Sequence, residues 1–74
     1  MINIAIIGYG YWGPNLVRNF AGARDCRVHT VVDFRSDRLE IVKRNHLTVN
    51  TSNHTEDVFN NNDIDAVVIA TPVF

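Results

Sequence analysis

The sequence is poor in residues that build covalent or metal cross-links. Its 74 residues include one cysteine, Cys26, and three histidines, which fall in separate stretches at His29, His46 and His54. A single cysteine cannot form an internal disulfide or a multi-cysteine metal site, and the scattered histidines lack metal-ligand spacing. We therefore predict no metal site, and the lone thiol fits a reducing, cytoplasmic location.

An excess of one charge and a long apolar run are also missing. Seven basic and eight acidic residues leave a net charge of −1, so we expect neither nucleic acid nor a membrane surface as a partner. No apolar run approaches the roughly 18 residues of a membrane span, and the N-terminus lacks the pattern of a signal peptide. A hydrophobic content of 46% still predicts a folded protein, and 74 residues make one small domain.

Glycine is scarce, yet three of the four glycines lie within six positions. The apolar run Ile2–Ile7 breaks directly into the stretch Gly8-Tyr9-Gly10-Tyr11-Trp12-Gly13. In a turn from strand to helix, Gly8 permits the sharp exit, Gly10 leaves room for a pyrophosphate, and Gly13 lets the helix pack closely. Free N–H groups and the helix dipole then favour an anion at the helix N-terminus.

An acidic residue lies at the distance expected for ribose recognition. A second apolar run, Val28–Val32, ends in Asp33, twenty residues past Gly13. A carboxylate there can accept hydrogen bonds from both hydroxyls of an adenosine ribose. The order of strand, glycine loop, helix, strand and acid predicts a dinucleotide or related adenosine ligand; the alternative is a tight turn that binds nothing.

The rest of the chain alternates strands and helices without a linker or a repeat. Apolar spacing predicts four strands, at Ile2–Ile7, Arg27–Asp33, Leu47–Asn50 and Ile64–Ala70. Capping and helix-breaking residues predict three helices. The first covers Trp12–Ala23, and the second begins at a capping box formed by Asp37 and Glu40 and ends near Asn45. The third begins at a Thr55 cap and stops at the Asn60–Asp63 cluster. The fourth strand is apolar throughout, as expected for a strand buried on both faces.

This order of elements predicts an α/β fold with a Rossmann-type, doubly wound parallel sheet, truncated after the fourth strand. Right-handed crossovers give the spatial strand order 3-2-1-4. The winding direction reverses between strands 1 and 4, and ligands bind at such a switch point. We expect the glycine loop to form one lip of the crevice and Ala70-Thr71-Pro72 to form the other.

Three stretches resemble a known enzyme family along the whole chain. Ile6–Asn15, Val31–Asp33 and Ala66–Pro72 look like the N-terminal part of a Gfo/Idh/MocA-type oxidoreductase. Within the first stretch, Gly10–Asn15 reads G-Y-W-G-P-N and is similar to members that act on sugar nucleotides, such as UDP-N-acetylhexosamine or hexosaminuronate 3-dehydrogenases. The resemblance implies an NAD(P)-dependent enzyme, normally of two domains, that oxidises a hydroxyl of a sugar or sugar nucleotide.

The resemblance also implies roles for individual residues. The pyrophosphate would be held by Gly8, Gly10, Gly13 and the backbone of Tyr11 and Trp12. Asp33 would bind the adenosine ribose, Arg38 would lie along the adenine, and Thr71 and Pro72 would line the crevice near the nicotinamide. Asp33 favours NAD, because a carboxylate repels the 2′-phosphate of NADP, while Arg35 keeps NADP open. The side chains of Tyr11 and Trp12 form either a lid over the first helix or a platform for a base.

The chain lacks the catalytic segments that the family carries. It stops before the Glu-Lys-Pro segment, the catalytic histidine region and the substrate domain, so we assign no catalytic residue to it. We therefore expect residues 1–74 to be a partial NAD(P)-binding domain from the N-terminus of a larger enzyme, able to self-associate through its fourth strand. A regulatory nucleotide-sensing module and an S-adenosylmethionine-binding domain are the alternatives.

Overall fold

The computed structural model describes residues 1–70, which form four strands and three helices. The strands are β1 (Ile2–Ile7), β2 (Cys26–Val32), β3 (Asn50–Ser52) and β4 (Ala66–Ile69), and the helices are α1 (Gly13–Ala21), α2 (Ser36–Asn45) and α3 (Glu56–Phe59). All strand pairs are parallel, and the sheet order is β3-β2-β1-β4. The predicted fold class and strand order are therefore confirmed. Among these residues, no helix has both the length and the apolar character needed to cross a bilayer.

The central strand β1 is buried on both faces because its side chains alternate between two layers of helices. Ile4 and Ile6 pack in one cluster with Val17 of α1 and Val42 of α2. Ala5 and Ile7 pack on the opposite face with Val32 and with Val58 of α3. Successive strand residues point to opposite faces, so a continuous apolar run is what a doubly covered strand requires.

Helix α1 is shorter than predicted at both ends. Trp12 takes the N-cap position rather than the first turn, and Gly22 takes the C-cap position. The Gly22 N–H still donates to the Arg18 carbonyl at 3.2 Å, but the Ala23 N–H donates to the Phe20 carbonyl at 3.1 Å. This tighter bond from residue i to i−3 ends the α-helix before Ala23.

The third strand is present, but its predicted bounds, Leu47–Asn50, are wrong because β3 lies further along the chain. Leu47 is 88% exposed, and the Val49 N–H donates to the His46 carbonyl at 3.2 Å, so the predicted apolar segment forms a turn. The strand itself consists of Asn50, Thr51 and Ser52, paired with Thr30–Val32. A polar edge strand carries no apolar period from which the sequence could reveal it.

The predicted capping box of α2 is also wrong. The N-cap residue is Arg35, without a side-chain cap, and the helix begins at Ser36. The Asp37 carboxylate accepts hydrogen bonds from the Arg35 side chain instead of capping the helix. For α3, Thr55 does take the N-cap position, but its side chain makes no capping hydrogen bond.

Strand β4 is shorter and more exposed than predicted. It covers Ala66–Ile69, with Val67 and Val68 half-buried and Ile69 67% exposed. In the described residues β4 pairs only with β1, so it forms an edge of the sheet. None of its four residues is fully buried, so the predicted burial on both faces is wrong. The predicted stop at Thr71-Pro72 lies outside the described residues.

Candidate functional site

The glycine loop leaves β1 through a conformation that favours glycine. Gly8 has a φ of 101°, in the left-handed region that L side chains rarely adopt. Its N–H donates to the Val32 carbonyl at 2.7 Å, so the loop stays attached to β2 as it turns. The sharp exit predicted at this residue is present.

Gly13 sets the contact between the end of the loop and its start. A Cβ on Gly13 would lie 2.2 Å from the Gly8 carbonyl oxygen, which is inside van der Waals contact. Only glycine therefore lets α1 begin against the carboxyl end of β1. The predicted close packing of helix and strand is present here.

The N-terminus of α1 is arranged to accept negative charge. Trp12, at the N-cap, makes no side-chain capping hydrogen bond, and the first turn carries no acidic residue. Pro14 lies in the first turn, where its missing N–H removes no hydrogen bond of the helix. The remaining N–H groups and the helix dipole form a positive end that can bind a phosphate.

Asp33 connects the loops at the carboxyl ends of β1 and β2. Its side chain is buried, and its Oδ2 accepts a hydrogen bond from the Tyr9 N–H at 2.8 Å. Its Oδ1 accepts one from the Arg35 N–H, also at 2.8 Å. A carboxylate has about four acceptor positions, so these two amides fix it while leaving capacity for further donors.

Arg38 brings α2 over the glycine loop. Its Nη1 lies 3.7 Å from Oδ2 of Asp33, and its side chain is 37% exposed. The same nitrogen would lie 2.7 Å from a Cβ on Gly10, so the guanidinium rests on the loop backbone. Gly10, Asp33 and Arg38, singled out from distant parts of the sequence, therefore meet in one place.

These residues line a cavity of about 270 Å³ at the carboxyl ends of β1, β2 and β4. Of the predicted site residues, it brings together Gly8, Gly10, Asp33, Arg38 and Ala70. Its other lining residues are Ile7, Val32, Phe34, Arg35 and Thr55. Sequence reasoning missed Phe34 and Thr55 as site residues, although the position of Phe34 directly after Asp33 was an available signal.

Three predicted residues of the glycine loop do not line this cavity: Tyr11, Trp12 and Gly13. Tyr11 and Trp12 are 80% and 59% exposed, and their rings meet edge to face with centroids 5.1 Å apart. The exposed rings therefore lie outside the cavity that contains Asp33. Thr71 and Pro72 lie outside the described residues.

The aromatic ring of Tyr9 has a different environment. It is buried in the core cluster with Ile4 and Val17. Burial raises the pKa of Tyr9, and the positive charge of Arg18 partly opposes that rise. Tyr9 therefore contributes its backbone N–H to the site and its side chain to the core.

Comparison with known sequences identifies the family. The model of the Gfo/Idh/MocA oxidoreductase family, described as having an NAD-binding Rossmann fold, matches residues 2–74. The chain belongs to this family. The predicted family is thus confirmed, and over residues 2–74 the chain matches the part that the family model describes as an NAD-binding Rossmann fold. Comparison with curated proteins gave no match.

Solved structures share the fold of this Gfo/Idh/MocA chain. An NAD-binding protein from Listeria innocua is 30% identical with a TM-score of 0.86, over 96% of this chain and 20% of that one. Scyllo-inositol dehydrogenase from Lactobacillus casei, solved with NAD(H) and scyllo-inositol, is 27% identical with a TM-score of 0.83, over 97% and 22%. Myo-inositol dehydrogenase from Corynebacterium glutamicum is 24% identical with a TM-score of 0.86, over 97% of this chain and 21% of that one. At this identity, the likeness supports the fold alone. The chain spans about a fifth of the length of these relatives.

Proposed function

We propose that this chain binds NAD as the cofactor-binding part of a dehydrogenase that oxidises a hydroxyl of a sugar or a related polyol. In this proposal, residues 1–74 are a partial NAD(P)-binding domain of a two-domain enzyme. The observation that carries the proposal is the buried Asp33 carboxylate, fixed by two backbone amides beside the glycine loop. The donor set also fits the cofactor, because the positive end of α1 lies on the same loop.

Each part of the dinucleotide has candidate partners in the chain. The diphosphate takes the backbone of the loop that includes Gly8, Gly10, Tyr11, Trp12 and Gly13. Asp33 takes the two hydroxyls of the adenosine ribose with its remaining acceptor positions. Arg38 lies along the adenine, and Ala70, Thr71 and Pro72 line the nicotinamide side. When bound, NAD supplies the hydride acceptor, and the rest of the enzyme supplies proton transfer and the substrate pocket.

Asp33 favours NAD over NADP in this proposal. The 2′-phosphate of NADP replaces the hydroxyl that the carboxylate binds, and it adds negative charge beside a carboxylate. The cavity next to Asp33 also holds two arginines, Arg35 and Arg38. Nη1 of Arg38 lies 3.7 Å from Oδ2 of Asp33, so the positive charge of Arg38 is partly balanced by the Asp33 carboxylate. NAD is supported as well by the relative from Lactobacillus casei, which was solved with NAD(H).

The substrate class is inferred from the relatives and from the loop sequence. Scyllo-inositol, bound to the Lactobacillus casei enzyme, is a cyclic polyol whose secondary hydroxyls resemble those of a sugar ring. The sugar-nucleotide branch rests on the G-Y-W-G-P-N residues alone and stays a prediction. Both substrate classes share one reaction class, which is the transfer of a hydride from a ring CH–OH group to the nicotinamide.

The test is ligand-observed NMR on the 74-residue chain with NAD, NADP and S-adenosylmethionine. We expect saturable binding of NAD, weaker competition by NADP and none by S-adenosylmethionine. Gly10→Ala should weaken NAD binding at least about tenfold, because its Cβ enters the space next to the loop. The variant should stay folded, since the atom it meets is the end of a flexible arginine side chain.

Gly22→Ala is the matched control for that variant. Its Cβ would lie 3.6 Å from the nearest atom, in ordinary contact and far from the loop in sequence. NAD binding by this control should equal that of the wild type. A folded wild-type chain that binds no dinucleotide, or a Gly10→Ala variant that binds NAD as well as the wild type, would refute the proposed site.

A further inference from the structure

A bidentate ion pair lies at the rim of the cavity next to Asp33. Nε and Nη2 of Arg35 donate to the two carboxylate oxygens of Asp37 at 3.2 and 3.0 Å. Both side chains are about two-thirds exposed, at 62% and 64%. Arg35 nevertheless lines the cavity, and its backbone N–H is the group that fixes Oδ1 of Asp33.

The position of Arg35 gives its guanidinium a chemical role. The 2′-phosphate of NADP would occupy the position of a ribose hydroxyl at Asp33, and arginine is the side chain that accommodates this group in dinucleotide sites. Arg38 is the second arginine that lines the cavity, and it contacts Asp33 directly. The backbone of Arg35 is therefore fixed at the Asp33 carboxylate, to which the proposal assigns the ribose, while its guanidinium is directed to Asp37.

We propose that Asp37 is a specificity-determining residue, which disfavours NADP by holding the Arg35 guanidinium away from a 2′-phosphate. This inference rests on the proposed function, since it assigns the ribose to Asp33. Asp37 acts in two ways. It satisfies the two donors that a phosphate would need, and it adds a second negative charge near the position of the phosphate.

The size of the effect depends on the exposure of the pair. The side-chain hydrogen bond from Arg35 lowers the pKa of Asp37, so its carboxylate is ionised at neutral pH. An exposed pair is a weak restraint, equivalent to a factor of about two to five in an equilibrium constant. Loss of the charge repulsion adds a further factor of about 1.5 to two at low salt. Together these effects predict about three- to tenfold tighter NADP binding when Asp37 is neutralised.

The test compares NAD and NADP binding to the 74-residue chain by titration in low-salt buffer, with Asp37→Asn as the variant. NADP should bind about three- to tenfold more tightly than to the wild type, while NAD binding should change less than twofold. The gain should shrink when salt is raised, because the charges are exposed. Asp37 is exposed, so circular dichroism should show the same fold for the variant and the wild type.

Two further variants identify the source of the gain. Glu40→Gln removes one negative charge from the exposed surface of the same helix without touching Arg35, and NADP binding should stay within twofold of the wild type. The double variant Asp37→Asn with Arg35→Gln should lose the gain. Equal gains in Glu40→Gln and Asp37→Asn, or a gain that survives removal of Arg35, would overturn the inference.

The outcomes also separate this inference from the proposed function. A wild-type chain that is folded but binds neither dinucleotide refutes the proposed function, and the inference falls with it. A wild-type chain that binds NAD, with the same preference for NAD over NADP in Asp37→Asn, refutes the inference alone.

Discussion

At the scale of single residues, Gly13 is a position where an added methyl group would collide with the backbone. The nearest atom to its added Cβ would be the Gly8 carbonyl oxygen at 2.2 Å, and this atom belongs to the backbone, not to a flexible side chain. We predict that Gly13→Ala lowers the free energy of unfolding by about 1–3 kcal/mol, because the start of α1 must move away from β1. The measurement is the midpoint of urea unfolding.

Gly22→Ala serves as the control for that substitution. Gly22 has a φ of −87° at the end of α1, and its Cβ would make only ordinary contacts. Alanine there should leave the stability unchanged or raise it by about 0.4–1 kcal/mol through the unfolded state. Equal unfolding midpoints for the Gly13 and Gly22 variants would contradict the packing role of Gly13.

Tyr9 should lower the free energy of unfolding of the chain as the pH rises into the alkaline range. Burial raises the pKa of its phenol above the ordinary value of 10.0, so the unfolded chain loses this proton first as the pH rises. The contribution of the neutral phenol is therefore complete below pH 10 and falls as the pH increases from there through the pKa of the folded state. Tyr9→Phe should lose less stability than the wild type between pH 9 and about pH 11.

The check is urea unfolding of the wild type, Tyr9→Phe and Tyr11→Phe across this pH range. Tyr11 is 80% exposed, so its phenylalanine variant should behave like the wild type. Arginine and lysine groups contribute equally to all three chains and cancel in the comparison. If Tyr9→Phe and the wild type lost stability in parallel, burial of the Tyr9 hydroxyl would not be linked to folding.

At the scale of elements, the predictable parts are those whose own residues carry the signal. The predicted bounds of β1 match the observed ones because Ile4–Ile7 are buried between two helix layers, which requires an unbroken apolar run. The predicted β2, Arg27–Asp33, is displaced by one residue at each end from the observed strand. At its carboxyl end, hydrogen bonding to β3 continues for one residue past the strand. The Asp33 N–H still donates to the Ser52 carbonyl at 3.1 Å after the strand has ended.

The elements that the sequence does not reveal are those defined by partners distant in the chain. β3 exists because Thr30–Val32 offer an edge, and its own polar residues carry no period. β4 is recognisable from its apolar residues. Their apolar content does not reveal that, among residues 1–70, β4 has a neighbouring strand on one side only. The start of β4 is also secured from outside the strand. The Asp65 carboxylate accepts the Asn3 N–H at 2.8 Å, and the Asp65 N–H donates to the Asn3 carbonyl at 2.8 Å.

The candidate site divides in the same way. The glycine loop and Asp33 are short local signals with fixed spacing, and sequence alone could place them at the ends of adjacent strands. The hydrogen bond from the Tyr9 N–H to Asp33 depends on strand register, and the turn of Arg35 toward Asp37 depends on side-chain rotamers. Neither leaves a periodic pattern. The same limit explains why Thr55 is not recognisable from sequence as lining the cavity, whereas the position of Phe34 directly after Asp33 did offer a signal.

At the scale of the whole molecule, the sheet is asymmetric in what its two edges expose. β3 presents the polar residues Asn50–Ser52, whereas β4 presents Ile69 at 67% exposure with an edge that has no partner among residues 1–70. An apolar edge strand is a template for pairing with another chain, while polar residues and charges discourage such pairing. Association of the 74-residue chain is therefore expected to favour the β4 edge.

Light scattering at increasing protein concentration tests this last expectation. The wild-type chain should self-associate, and Ile69→Lys should remain monomeric at concentrations where the wild type does not, because lysine on an edge strand opposes pairing. Leu47→Lys introduces the same charge at a site that is 88% exposed but lies in the turn before β3, so it should associate like the wild type. A wild type that stays monomeric at high concentration would rule out association through β4. Equal suppression by both lysine variants would instead assign the effect to net charge, since only a specific edge contact distinguishes Ile69 from Leu47.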